Sequence, residues 1–206
     1  MSNVTDPSPE QLLSQARAGD GPVLGRLLEL HRAYLVVLAR VQIGRRLQGK
    51  VDASDLVQEA LLGAYRDFPQ FRGTTEKEFL GWLRRILASL LANLVRHYQG
   101  TQRRDVRLER QLAVELDQSS QALDGGLLAP QSSPSQQAIR REQSVLLAEA
   151  LGRLPEAWRE LLILRHLEGL TFPQVAERLG RSVDSVKKLW PRALASLRRA
   201  LEKELS

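Results

Sequence analysis

The side chains with the clearest chemical purpose in this 206-residue sequence are the cations of one stretch, SVDSVKKLWPRALASLRR, from Ser182 to Arg199. From Arg181 onward seven basic residues stand against three acidic ones. At 100° per residue, Val186, Leu189, Trp190, Ala193, Leu194, Leu197 and Leu201 form one stripe, and Lys187, Lys188, Pro191, Arg192, Arg198 and Arg199 lie opposite it. Lysine and arginine on an open helical face bind phosphates and guanine edges, so the chemistry is recognition of a polyanion rather than bond making. Lys187, Lys188, Pro191 and Arg192 lead that face. Pro191 is its odd member, because a proline inside a helix removes a hydrogen bond and costs roughly 3 kcal/mol. On the outer side it bends the helix in the direction in which helices already curve, and the packed stripe survives.

A second set of candidates lies in FRGTTEKEFLGWLRRILASLLANLVRHYQGTQRR, from Phe71 to Arg104. Phe79, Leu83, Ile86, Leu87, Leu90 and Leu94 repeat at helical spacing as a core stripe. Arg85, Ser89, Ala92 and Arg96 share the outer face, bordered by Trp82 and Asn93. Small residues between arginines let a nucleic-acid backbone come close. Just upstream, Arg72, Thr74 and Thr75 stand in a hydroxyl-rich loop beside this cationic helix. Such a loop can hold an unstacked base, or it can simply be a turn between core helices.

A third set is acidic. In DASDLVQEALLGAYRDF, capped by Asp52, the residues Val57, Ala60, Leu61, Ala64 and Phe68 point inward, while Asp55, Gln58, Glu59 and Leu62 gather outside. That face is a docking site or an ordinary surface, and helical geometry leaves both open.

Other chemistries find no support in the residues. There is no cysteine, which removes disulfides, thiolate zinc sites and cysteine nucleophiles. His31, His97 and His166 are isolated and lack metal-ligand spacing, so they are expected at the surface or locally bonded. No Ser/His/Asp set or phosphate-binding glycine loop occurs. The expectation is no enzyme, no catalytic residue, no metal and no cofactor. The net charge of +6 and pI near 10.1 favour a polyanionic partner. The opening MSNVTDPSPEQ is polar and unlike a secretory signal, and the longest apolar stretch, Ile86 to Val95, is about half the ~20 residues a bilayer span requires. A cytoplasmic protein without membrane insertion is the expectation.

The elements that must position these side chains are helices. From Glu10 to about Arg104 the chain is dense in Leu, Arg and Ala at helical spacing, broken by the turns AGDGP, QGKVD and PQFRGTT. Between Asp105 and Gln137 the pattern gives way to DQSSQALDGGLLAPQSSPSQQ, whose Ser, Gln, Gly and Pro supply too little apolar surface to offset ordering. Periodicity returns near Ala138. Thr171 followed by Gln174 is a capping box with Pro173 in the first turn, Gly180 suits the left-handed residue after a helix, and Ser182 caps the next one. Two helices joined by so short a glycine-bearing turn make a helix-turn-helix, with Ala176, Gly180 and Val186 where the helices approach. The expected fold is all-α: two small helical domains, 1–104 and 139–206, joined by a flexible linker, 105–138, with the helix-turn-helix in the second.

On these residues the chain resembles a family, the RNA polymerase sigma factors of the extracytoplasmic-function subfamily. DASDLVQEALLGAYRDFPQFRG with FLGWLRRILASLLANLVR looks like the family's second region, and LPEAWRELLILRHLEGLTFPQVAERLGRSVDSVKKLWPRALASLRRAL like its fourth. No first or third region is recognisable before or between them, which marks this subfamily. The resemblance implies core RNA polymerase and promoter DNA as partners, a possible anti-sigma protein, and a monomer when free. It implies that Asp55, Gln58, Glu59 and Leu62 contact the polymerase clamp helices. It further implies that Arg72, Thr74 and Thr75 capture a flipped base of the minus-ten element, with Trp82, Arg85, Ser89, Asn93 and Arg96 along its upstream part. Ser185, Lys187, Lys188, Pro191 and Arg192 then correspond to the reader of the minus-thirty-five element. A stand-alone helix-turn-helix regulator would instead require palindromic half-sites about one DNA turn apart, and a helical adaptor would show no salt-dependent DNA affinity.

Overall fold

The structure, a computed structural model, describes residues 7–47, 51–99, 105–124 and 144–204, and no strand occurs among them. Six helices come first: α1 (Pro9–Arg17), α2 (Gly21–Leu30), α3 (Arg32–Leu47), α4 (Ala53–Asp67), α5 (Glu76–Tyr98) and α6 (Val106–Asp124). Four follow: α7 (144–152), α8 (Glu156–Leu162), α9 (Phe172–Arg178) and α10 (Val183–Glu204). Local chemistry sets their starts. Ser8 with Gln11, Thr75 with Glu78 and Thr171 with Gln174 form capping boxes at α1, α5 and α9, while Asp20 and Asp52 accept hydrogen bonds at α2 and α4. The fully buried Val57, Leu83, Leu87 and Leu91 show the inner faces of α4 and α5, which pack on each other and on α3.

The expected flexible linker begins too early. Residues 106–124 form α6, which lies along α5 and buries Leu112, Leu116 and Leu123. Leucines at 108, 112 and 116 keep a helical spacing that the surrounding Ser and Gln obscure. Polar bonds fasten the helix. The Tyr34 hydroxyl donates to Ser120 Oγ (2.7 Å), and Arg84 reaches both the Tyr34 oxygen (2.9 Å) and Asp117 (2.6 Å). The expected linker residues 125–138 lie outside the described residues.

In the second group a π-turn, Ile163–Leu167, joins α8 to the helix-turn-helix and places the His166 ring 5.1 Å from that of Trp190 on α10. The same turn meets α3. Arg45 donates to the Leu167 carbonyl (3.3 Å), and Arg178 donates to the Gly44 carbonyl (3.0 Å). Glu168 sits between Arg45 (4.0 Å) and Arg178 (3.6 Å), and burial raises its pKa although both arginines act to lower it.

Candidate nucleic-acid interface

The loop before α5 rests on aromatic rings. Phe71 lies 5.0 Å from Trp82, 5.6 Å from Phe79 and 6.0 Å from Phe68, and Phe79 is fully buried beneath them. Tilted and edge-on ring contacts of this kind add to the area that the rings bury. Gly73 turns against this floor so closely that a Cβ would stand 2.3 Å from a Phe71 ring carbon and 2.8 Å from the Glu78 Cβ. Only glycine fits there. One oxygen of Glu78 then accepts the Thr74 N–H (2.8 Å), the Thr75 N–H (3.1 Å) and the Thr75 hydroxyl (3.0 Å). The Thr74 N–H, followed by the Thr75 N–H and hydroxyl, lowers the Glu78 pKa, because each favours the ionised carboxylate. From the other side Arg17 of α1 donates to the Arg72 carbonyl (3.4 Å). Arg72, Thr74 and Thr75 are all exposed.

Along α5, Arg85 and Asn93 are exposed, whereas Trp82, Ser89 and Arg96 are half-buried, and Arg96 donates to the Asn93 side chain. Ala92, expected on this outer face, is instead fully buried. Helix α5 is packed by α3, α4 and α6, so less of its circumference is open than a helix without α6 would leave. The packing also reaches Ala88 and Val95, while Ile86, Leu90 and Leu94 of the expected core stripe are only half-buried.

Helix α4 presents Asp55, Gln58, Glu59 and Leu62 together, all exposed, with Leu62 at 61%. Tyr65, three residues beyond Leu62, is 48% exposed and extends this face with a second large apolar group. Its spacing on the helix was the available signal. These two exposed apolar groups share the face with the acids Asp55 and Glu59.

The helix-turn-helix forms as its caps dictate. Gly180 takes φ +61, and the Ser182 hydroxyl accepts the Ser185 N–H (3.2 Å). Ala176 and Val186 are buried at the helix crossing, but nothing lies within 4 Å of a Cβ built on Gly180, so the left-handed backbone and not a close approach requires glycine there. On α10 the side chains of Lys187, Lys188, Pro191 and Arg192 are exposed and Ser185 is half-buried. Val186, Ala193 and Leu197 are buried on the other side.

The histidines depart from expectation at one point. His31, between α2 and α3, is fully buried, and neither ring nitrogen has a hydrogen-bond partner. Desolvation lowers its pKa to about 4, so at neutral pH it is an uncharged ring 5.7 Å from Phe79, with Glu76 at 3.7 Å a neighbour and not an ion partner. Among the described residues no group of His, Cys, Asp or Glu could hold a metal ion, and no helix is long and apolar enough to cross a membrane.

Comparison with known proteins follows the same division. Residues 30–101 match the family model for Sigma-70 region 2, and residues 144–197 match that for Sigma-70, region 4. The RNA polymerase sigma factor NccH of Alcaligenes xylosoxydans xylosoxydans is 28% identical over 200 residues, covering 97% of this chain and 98% of that protein. CnrH of Cupriavidus metallidurans is 28% identical over 191 residues, 93% of each chain. The ECF RNA polymerase sigma factor SigD of Mycobacterium tuberculosis is 28% identical over 189 residues, 92% of this chain and 82% of that one. The solved structure of CnrH in complex with the cytosolic domain of CnrY covers 95% of this chain and 97% of that chain, at 23% identity and a TM-score of 0.34.

Proposed function

Because the chain belongs to the sigma-70 family, in its extracytoplasmic-function branch, and directs RNA polymerase to promoters, we propose how its surfaces divide that work. The exposed face of Asp55, Gln58, Glu59 and Leu62, extended by Tyr65, docks on the clamp helices of core polymerase. The loop Arg72 to Thr75 takes a flipped base of the minus-ten element, and Trp82, Arg85, Ser89, Asn93 and Arg96 follow the strand upstream. Ser185, Lys187, Lys188, Pro191 and Arg192 read the minus-thirty-five element. The domain with the first two tasks extends through α6, since Leu112 and Leu116 of that helix are part of its core. The protein acts in the cytoplasm, free as a monomer and open to an anti-sigma partner, and contributes recognition and melting without catalysis of its own.

The observation that carries this reading is the coexistence of an exposed, restrained loop just before α5 and an open cationic face on α10, two unlike surfaces in one chain. In vitro transcription with core polymerase and a randomised promoter library should select two dissimilar elements. Failure to bind core polymerase would overturn the proposal, and a palindromic footprint would favour a stand-alone regulator.

A further inference from the structure

Glu78 is an acidic, exposed residue on the surface proposed to meet a polyanion, where an uncompensated carboxylate would repel phosphate. Its carboxylate is instead engaged by the loop. The Thr74 N–H, the Thr75 N–H and the Thr75 hydroxyl converge on one of its oxygens within 3.1 Å. A carboxylate can only accept, so the single hydroxyl proton of Thr75 is committed to Glu78, while Thr75 Oγ1 accepts the Glu78 N–H (3.3 Å). The one donor of that hydroxyl and one of its two acceptor sites are therefore engaged within the protein. Below, Gly73 is held in contact with the Phe71 ring and the Glu78 side chain, and the Arg17 guanidinium fixes the Arg72 carbonyl. The backbone from Arg72 to Thr75 is thus restrained from three sides before any ligand arrives. A loop that had to order on contact would draw that ordering free energy from its affinity.

We infer that Glu78 is the positioning residue of the base-holding loop, and that Thr75 serves as the cap through which Glu78 acts and not as a base contact. The inference rests on the proposed reading that the loop 72–75 takes an unstacked base. Contact with that base then falls to Arg72 and Thr74, whose side chains are exposed. Glu78 itself touches no DNA. It sets the geometry in which the loop meets the base.

The test uses holoenzyme and fluorescent single-stranded oligonucleotides carrying the non-template strand of a promoter selected in vitro, intact or with one abasic position at a time. For the unaltered protein one position should show the largest abasic penalty. Glu78→Ala should lower affinity for the intact strand about tenfold, as for loss of hydrogen bonds to a charged group, and leave the strand abasic at that position unchanged. Thr75→Val should act in the same direction, and Thr75→Ser, which restores the hydroxyl, should recover the unaltered behaviour. Core-polymerase binding should stay the same in all three. A loss spread evenly over every position would show a general structural role and overturn the inference. So would a full penalty retained in Glu78→Ala and Thr75→Val while Arg72→Ala abolishes it. Should Arg72→Ala and Thr74→Ala both also leave the penalty intact, the base-holding reading of the loop itself fails.

Discussion

The loop before α5 and the open face of α10 hold their candidate DNA contacts in opposite ways. In the loop, the backbone is tied to Glu78 and Arg17 and laid on Phe71, which in turn rests on Phe79 and Trp82. On α10, Lys187, Lys188, Pro191 and Arg192 stand in solvent, and only the backbone and the opposite face are packed. An unstacked base must find a shaped receptor, because extrusion costs free energy that only a fitted pocket returns. A duplex groove already presents its edges, and long cationic side chains can adapt to it. On the proposed reading the fold would support one site by preorganisation and the other by exposed, adaptable side chains, and substitutions should separate the two.

The largest effect is expected at the foundation of the loop. Phe79→Ala removes a fully buried ring that contacts Phe68, Phe71, Trp82 and His31, and should cost about 3–5 kcal/mol in urea unfolding. Promoter melting should be lost with it. No single substitution on the open face of α10 should destabilise the fold by as much.

His31 offers a second way to strain the same foundation, through pH. Its pKa is near 4 in the folded protein and about 6.5 when unfolded, so the unfolded chain binds more protons between those values. Stability is therefore fully present above pH 6.5 and falls as pH drops toward 4, by about 3 kcal/mol in total. Chemical denaturation across that window should show the loss, and His31→Leu should remove this part of the pH dependence. The acid loss should be accompanied by weaker minus-ten binding, since Phe79 is the shared neighbour.

Much of this contrast was legible in the sequence, and what was not has physical causes. The helix-turn-helix follows from Thr171, Gln174, Gly180 and Ser182 because caps and left-handed turns are local. The outward set on α4 follows from period alone. Helix α6 was hidden because composition averaged over Ser and Gln masked the spacing of Leu108, Leu112 and Leu116, and the burial of Ala92 followed from packing around α5 that the spacing of α5 alone does not show. His31 looked like a surface residue because isolation in sequence says nothing about burial. Glu78 is different: Thr75 with Glu78 repeats the pattern of Thr171 with Gln174, so its capping role was readable, whereas its service to Thr74 needed the fold of the loop.

Pro191 tests the open surface from its backbone. Helix α10 runs unbroken from Val183 to Glu204 with Pro191 exposed inside it. Pro191→Ala restores a donor for the Lys187 carbonyl and should raise the stability of the C-terminal helices by roughly 1–3 kcal/mol, read by thermal unfolding. Core-polymerase binding should not change. Preference at the upstream element should, because the residue's ring is replaced on the face that carries Lys187, Lys188 and Arg192. Unaltered preference would remove Pro191 from the reading surface and leave it a purely structural bend.

The smallest effect on stability and the sharpest on mechanism is expected from Lys188→Ala. The side chain is exposed, so unfolding should shift by no more than about 0.5 kcal/mol. If Lys188 neutralises a phosphate, affinity for promoter duplex should fall alike for matched and mismatched sequences, and the slope of log affinity against log salt should drop by about 1. If it reads a base edge instead, the loss should concentrate on one base pair and the slope should hold. Either result keeps α10 a surface of independent, solvated contacts. A Lys188→Ala variant that destabilised the fold, or changed minus-ten binding as strongly as minus-thirty-five binding, would show that α10 is restrained like the loop, and the division between a built site and an adaptable one would not stand.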